Sequence, residues 1–158
     1  MKKAFAMMVL AVAMVANVAA QSVTTPNSKL QLQVKGVEYK NHNAEITVLI
    51  SNQSDDEIML NLVGGQYQTG MAGSIAYDDD GNVYELGNVQ VSMANKSFTE
   101  QYCGINLPSK VPVKCHILIK NVNEAATELM KIKLCILCPA LAINNTGVCF
   151  EINHVSLK

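Results

Sequence analysis

Arginine and tryptophan are both missing from this 158-residue chain, and only 16% of its residues are charged. Each lack narrows the possible functions. Arginine supplies the planar fork that reads phosphate and guanine, and the twelve basic residues here, all lysine, face thirteen acidic ones without forming a stripe. Nucleic-acid binding is therefore set aside. Aromatic residues make up 5% of the chain. That weakens any stacking platform for sugars or bases, although five tyrosines remain. Histidine is equally sparse: His42, His116 and His154 lie far apart, with no nucleophile elbow or HExxH pattern nearby. A hydrolase would have to assemble its site from distant residues.

Long apolar runs are also scarce, and the one present stands at the start. MKKAFAMMVLAVAMVANVAAQS places Lys2 and Lys3 ahead of an apolar run over residues 4–16, then Val18, Ala19 and Ala20. This is the pattern of a secretory signal peptide cleaved before Gln21. The run is shorter than the roughly 20 residues a membrane span needs. With no cysteine at the junction, a lipoprotein route is not supported. The organisation expected is a signal peptide over 1–20, a polar leader over 21–28 and one domain over 29–158. The mature chain then carries ten lysines against thirteen acids, a net charge of about −3. It is expected in the periplasm or outside the cell, without a membrane span and with a macromolecular or envelope partner.

Beyond the leader, apolar residues recur at period two, the mark of strands with one buried face. Leu30, Leu32 and Val34 alternate with Gln31, Gln33 and Lys35; Gly36 interrupts, and Val37 and Tyr39 resume in the other phase, which predicts a bulge. NHN turns the chain into Ile46, Val48 and Ile50, and Ile58, Leu60 and Leu62 follow a polar turn. Strands are expected again around DDDGN, over 89–93, over 111–119, and over 131–138 and 148–155. Residues 121–130 read as a short helix capped by Asn123. The fold class is all-β: an antiparallel, immunoglobulin-like two-sheet sandwich of about 7–9 strands with one short crossover helix. A closed antiparallel barrel is the competing architecture.

Five cysteines are present. Cys135, Cys138, Cys149 and His154 form C-x2-C-x10-C-x4-H, near some zinc spacings. On strands, however, Cys135 and Cys138 are an odd offset apart and face opposite sides, as do Cys149 and His154. A redox C-x-x-C opens a helix, whereas Pro139 ends this segment. Cys115 and Cys138 share the inward phase and read as small core residues. Cys135 and Cys149 share the outward phase of Lys131, Lys133 and Glu151, so they are disulfide candidates on neighbouring strands. Cys103 is a second possible partner, and the odd count leaves one thiol unless the chain dimerises.

Two loops attract attention. In AYDDDGNVYEL, Asp78, Asp80 and Asn82 alternate like part of a calcium loop, but Val89 stands where an EF-hand needs its closing acid. Turn preferences explain the same residues without an ion. The glycine-rich stretch 64–73 reads as a ligand-facing loop, with Gly65, Tyr67, Gly70 and Met71 as contact candidates.

IAYDDDGNVYEL, LPSKVPVKCHILIKNV, NEAATEL and VCFEINHV give residues 29–156 a resemblance to small exported proteins of Gram-negative gut bacteria with an immunoglobulin-like sandwich and no assigned activity. More loosely, the region is similar to extracellular immunogenic sandwich domains. The resemblance implies a sandwich, an envelope or extracellular location, and a binding or structural role; it carries no catalytic signature. The expected function is a non-enzymatic binding, adhesion or structural envelope module without a cofactor. A calcium-stabilised envelope domain using Asp78, Asp80 and Asn82 is one alternative, and a hydrolase is another.

Overall fold

The computed structural model describes residues 21–66, 73–145 and 147–158. Period-two alternation is clearest in β3 (Asn43–Asn52), where every second side chain is buried along the whole strand. Ala44, Ile46, Val48 and Ile50 point inward and are fully enclosed. β3 pairs with β2 (Leu30–Lys40) across a hairpin whose turn residues Asn41 and His42 both have positive φ, 52° and 60°. That backbone matches the right-handed twist of the flanking strands. The register slips between Val34 and Gly36, the bulge that the change of phase predicts.

β9 (Val113–Ile119) adds to the other side of β3, and β7 (Val89–Met93) follows, giving a four-stranded sheet in the order β2-β3-β9-β7. The larger sheet has seven strands. β10 (Glu128–Leu137) runs through its middle, with β11 (Cys149–Ser156) along one side and β1 (Ser22–Thr24) beyond it. The other side of β10 is shared: β5 (Ile75–Asp78) takes Leu129 to Lys133, and β4 (Ile58–Val63) takes Ile136 and Leu137. β8 (Tyr102–Leu107) pairs with β4, and β6 (Val83–Tyr84) with β5. All these strand pairings are antiparallel, and among the described residues no strand joins one sheet to the other. The fold is a two-sheet antiparallel β-sandwich rather than a closed barrel.

Between the sheets, Leu60, Leu62, Ile132 and Phe150 meet Ile46, Ile50, Ile117 and Ile119 in one continuous apolar cluster. Burying each such side chain stabilises the fold by roughly 1.5–3 kcal/mol. Cys115 and Cys138 belong to this cluster, as their phase predicts. Cys103 of β8 joins them from the larger sheet.

The short helix expected over 121–130 does not form. Asn121 takes φ 56°, and the Asn123 side chain closes a turn by accepting the Ala125 N–H at 3.1 Å. Glu128 and Leu129 are then drawn into β10, opposite Ser156 and Val155. The local capping chemistry is real, but cross-strand pairing and the burial of Val122, Ala126 and Leu129 outweigh helix preference. Among the described residues the only helical piece is a 3-10 turn at Pro139–Leu141. Two strands lie where none was expected: β1 within the polar leader, and β8 in a stretch without clear alternation. Among the described residues, no helix is long and apolar enough to cross a membrane.

Candidate functional site

The outward-facing side chains of β5, β10 and β11 form the floor of a cleft of about 400 Å³. Ile75 and Tyr77 come from β5, Lys133 and Cys135 from β10, and Cys149 from β11. Gly65, Glu85 and Leu86 form one wall; Gly73 and Ser74 lie over Cys135. Leu86 is 58% exposed and holds φ 54°, a left-handed conformation unusual for a branched apolar residue.

Backbone crowding explains the glycines here. A Cβ on Gly65 would lie 2.0 Å from the Leu86 carbonyl oxygen, and one on Gly73 would lie 2.2 Å from that of Gly65. The Gly65 N–H donates to Val89 O at 2.8 Å, and the Ser74 N–H donates to Gly64 O at 2.9 Å. Ser74, almost fully buried, donates its hydroxyl to Val63 O and accepts the Cys135 N–H at 2.8 Å. This one side chain ties β4, the 73–74 segment and β10 together at the cleft floor.

Cys135 and Cys149 are directly opposite each other on β10 and β11. Ile136 N–H donates to Val148 O at 3.0 Å, while Cys135 N–H is turned away toward Ser74. Cys135 and Cys149 therefore occupy a non-hydrogen-bonded position, where side chains approach most closely and Cα atoms are about 4.5 Å apart. That falls within the span a disulfide bridges. All five cysteines are thiols in this structure. Hydrogen bonding from Cys135, supported by the Lys133 charge, lowers the Cys149 pKa against the opposing effect of burial. The same contact, with burial, raises that of Cys135. Cys135 is also 3.4 Å from Gly73 O, so its single proton can be given to that carbonyl or to the Cys149 sulfur. Burial pushes the Cys115 thiol up to about 12, with a smaller contribution from Cys103 facing it across the core.

The hairpin that supplies Ile75, Tyr77 and Glu85 to the cleft is closed by the aspartate turn, and none of Asp78, Asp80 and Asn82 lines the cleft. Asp78, only 3% exposed, accepts the backbone N–H groups of Asp80 and Asn82 at 3.0 and 2.8 Å. Its other oxygen accepts the Asn82 amide at 2.9 Å and the Tyr84 hydroxyl at 2.6 Å. Tyr84 in turn accepts the Asn123 N–H at 2.9 Å, tying the hairpin to the 121–127 segment. Burial and the neighbouring Asp78 raise the phenol to about 12. Asp79 accepts from the Thr127 hydroxyl and the Thr127 and Glu128 N–H groups, which hold its carboxyl low. Asp80 turns to the Asn123 amide at 3.3 Å. Among the described residues no three acidic, histidine or cysteine side chains are grouped to hold a metal. Millimolar calcium is expected to leave the melting temperature unchanged; a clear rise would place an ion at this hairpin.

The three histidines are dispersed. His42 occupies the β2–β3 turn, His116 the smaller sheet and His154 the larger. His154 Nδ1 is 2.6 Å from Glu128. His116 Nδ1 is 2.8 Å from Glu45 and 3.4 Å from the Thr47 hydroxyl. Both partners of His116 reach Nδ1, whereas a triad histidine is oriented through Nδ1 and exchanges its proton with the nucleophile at Nε2.

Of the contact candidates, Gly65 lines the cleft, while Tyr67, Gly70 and Met71 lie outside the described residues. The disulfide candidates Cys135 and Cys149 meet at the cleft floor; the calcium candidates Asp78, Asp80 and Asn82 form a separate turn. Sequence reasoning missed Ile75, Tyr77, Leu86 and Lys133. Strand phase just after the glycine-rich segment was the available signal for Tyr77, and the outward phase shared with Cys135 was that for Lys133; nothing local marks Leu86.

Fold and cleft together define the class: a two-sheet antiparallel β-sandwich with a cleft on the outer face of its larger sheet. No protein-family model matches the chain, and no curated protein matches it. Of the resemblance to small exported sandwich proteins, the structure shares the two-sheet architecture.

Proposed function

We propose that this is an exported, non-enzymatic binding module with an immunoglobulin-like scaffold, whose ligand occupies the cleft above Tyr77, Lys133 and Cys149. The cleft carries the reading. Its volume of about 400 Å³ falls in the range of small-molecule sites, and its lining mixes apolar side chains with a few polar groups. An exposed leucine in a left-handed conformation at its wall is the kind of local strain that concentrates at ligand contacts. Export rests on the signal-peptide pattern of residues 1–20.

The test is native mass spectrometry of the protein recovered from its own envelope, alongside Leu86→Asn. Asparagine tolerates the left-handed backbone, so the fold is expected to keep or slightly raise its melting temperature. Losing the apolar contact should cost about 1.5 kcal/mol of binding, or about tenfold in affinity. A preparation that carries no added mass, with no ligand in a broad thermal-shift panel acting through Leu86, would end this reading.

A further inference from the structure

The Cys135 and Cys149 pair offers a chemistry that ligand binding in the cleft does not require. A cross-strand pair at a non-hydrogen-bonded position can close into a disulfide without moving the backbone. This one opens into a cavity large enough to admit a small molecule, and its two sulfurs are unequal: Cys135 is covered by Gly73 and Ser74, and Cys149 is half-buried. Lys133, two residues along from Cys135 on the same outward face, places a positive charge beside the cleft. The remaining cysteines take no part. Cys103, Cys115 and Cys138 point into the core.

We propose that Cys135 and Cys149 form a reversible dithiol–disulfide exchange site for low-molecular-weight disulfides entering the cleft, with Cys149 as the attacking sulfur and Cys135 as the resolving one. In the first step Cys149, having given up its proton, attacks one sulfur of the incoming disulfide. A Cys149–S bond forms, the small S–S bond breaks, and one small thiolate leaves and takes up that proton. Cys135, giving up its proton, then attacks Cys149 Sγ as the thiolate. The mixed disulfide breaks, the Cys135–Cys149 bond forms, and the second small thiolate departs with the Cys135 proton. Two protein thiols lose two electrons and two protons, and the small disulfide gains both. The lowered pKa of Cys149 suits it to the first role, and thiolate character sets the rate of such exchange. Cys135, covered by Gly73 and directly opposite Cys149, is placed for the second. The inference uses the same cleft as the proposed ligand site but does not depend on the ligand.

The test equilibrates the folded mature protein in glutathione buffers from fully reducing to fully oxidising. Samples are quenched with acid, denatured, alkylated and read by intact mass. The chain has five cysteines, so five alkylated thiols are expected at the reducing end and three at the oxidising end, with full return on re-reduction. The two-thiol loss should survive Cys138→Ala and vanish in Cys149→Ala. Cys135→Ser should accumulate one glutathione adduct, on Cys149. If Cys135→Ser does not fold, the wild-type series and the other two variants decide the matter alone. Five alkylated thiols at every ratio, a disulfide that persists in Cys149→Ala, or an oxidised form that does not reopen would each overturn the proposal. Ligand retention is read separately, as added non-covalent mass, so failure here and failure of the binding reading are distinguishable.

Discussion

Asp78→Ala is expected to destabilise the protein by about 3 kcal/mol, because it leaves buried donors without an acceptor. The carboxylate is almost fully enclosed and accepts from two backbone N–H groups, the Asn82 amide and the Tyr84 hydroxyl. Asn82 can turn to water, but the Tyr84 hydroxyl cannot. Tyr84→Phe removes one bond to a charged acceptor and strands the Asn123 N–H, so a loss of about 1.5–3 kcal/mol is expected. The two changes share one network and should not add in a double-mutant cycle. Urea melts of the three variants check this, and additive losses would show that the network does not act as a unit.

The same carboxylate predicts a pH dependence. Burial pushes the Asp78 pKa up, but the hydrogen bonds from Tyr84, Asn82 and Asp80 outweigh it, so the folded-state value lies below the ordinary one. A group depressed in this way contributes stability that is fully present above its unfolded pKa, about 3.9, and is lost as pH falls through the folded value. Asp79, held low first by the Thr127 hydroxyl, acts in the same direction. Stability should therefore be flat from neutral pH down to about pH 5 as far as these groups are concerned, and fall below about pH 4. Asp78→Asn should be less stable at neutral pH and show a shallower acid slope. An unchanged slope would remove Asp78 from the acid transition.

Gly65→Ala is expected to cost at least as much, about 3 kcal/mol or more, by forcing a methyl into occupied space. The added Cβ would lie 2.0 Å from the Leu86 carbonyl oxygen, so two backbone segments must part. Separation endangers the Gly65 N–H bond to Val89 and the Ser74 N–H bond to Gly64, and with them the cover over Cys135. At this chain length, 3 kcal/mol corresponds to a fall in melting temperature on the order of 10 °C. Gly36→Ala is the control: no atom lies within 4 Å of its Cβ position, and the effect should be small. If Gly65→Ala melted like Gly36→Ala, the close approach of the two segments would be wrong.

Much of the sandwich was legible because its signals are local. The alternation of Ile46, Val48 and Ile50 requires one buried face whatever the partner strand, and NHN supplies residues that tolerate positive φ at both turn positions. The phase of Cys135 and Cys149, shared with Lys131, Lys133 and Glu151, placed them together on the outward face of adjacent strands, and the register sets them opposite each other. The helix expected over 121–130 failed for the converse reason. Its capping signal is also local, but the state of Glu128 and Leu129 depends on β11 and β5, which offer backbone bonds on both sides of β10.

The sequence by itself determined the all-β class, the inward sets of β3 and β4, the bulge at Gly36 and the turn character of DDDGN. These follow from side-chain period and backbone sterics, which act between near neighbours in the chain. Val37 and Val111, which continue the apolar alternation, are exposed. The tertiary structure alone decided that β10 is shared by β4, β5 and β11, that Ser74 anchors the cleft floor, and that Gly65 is required by Leu86. It also decided that Asp78 spends its carboxylate on Tyr84. Each of these depends on segments distant in sequence meeting at hydrogen-bond or van der Waals distance, and no local pattern encodes which segments meet.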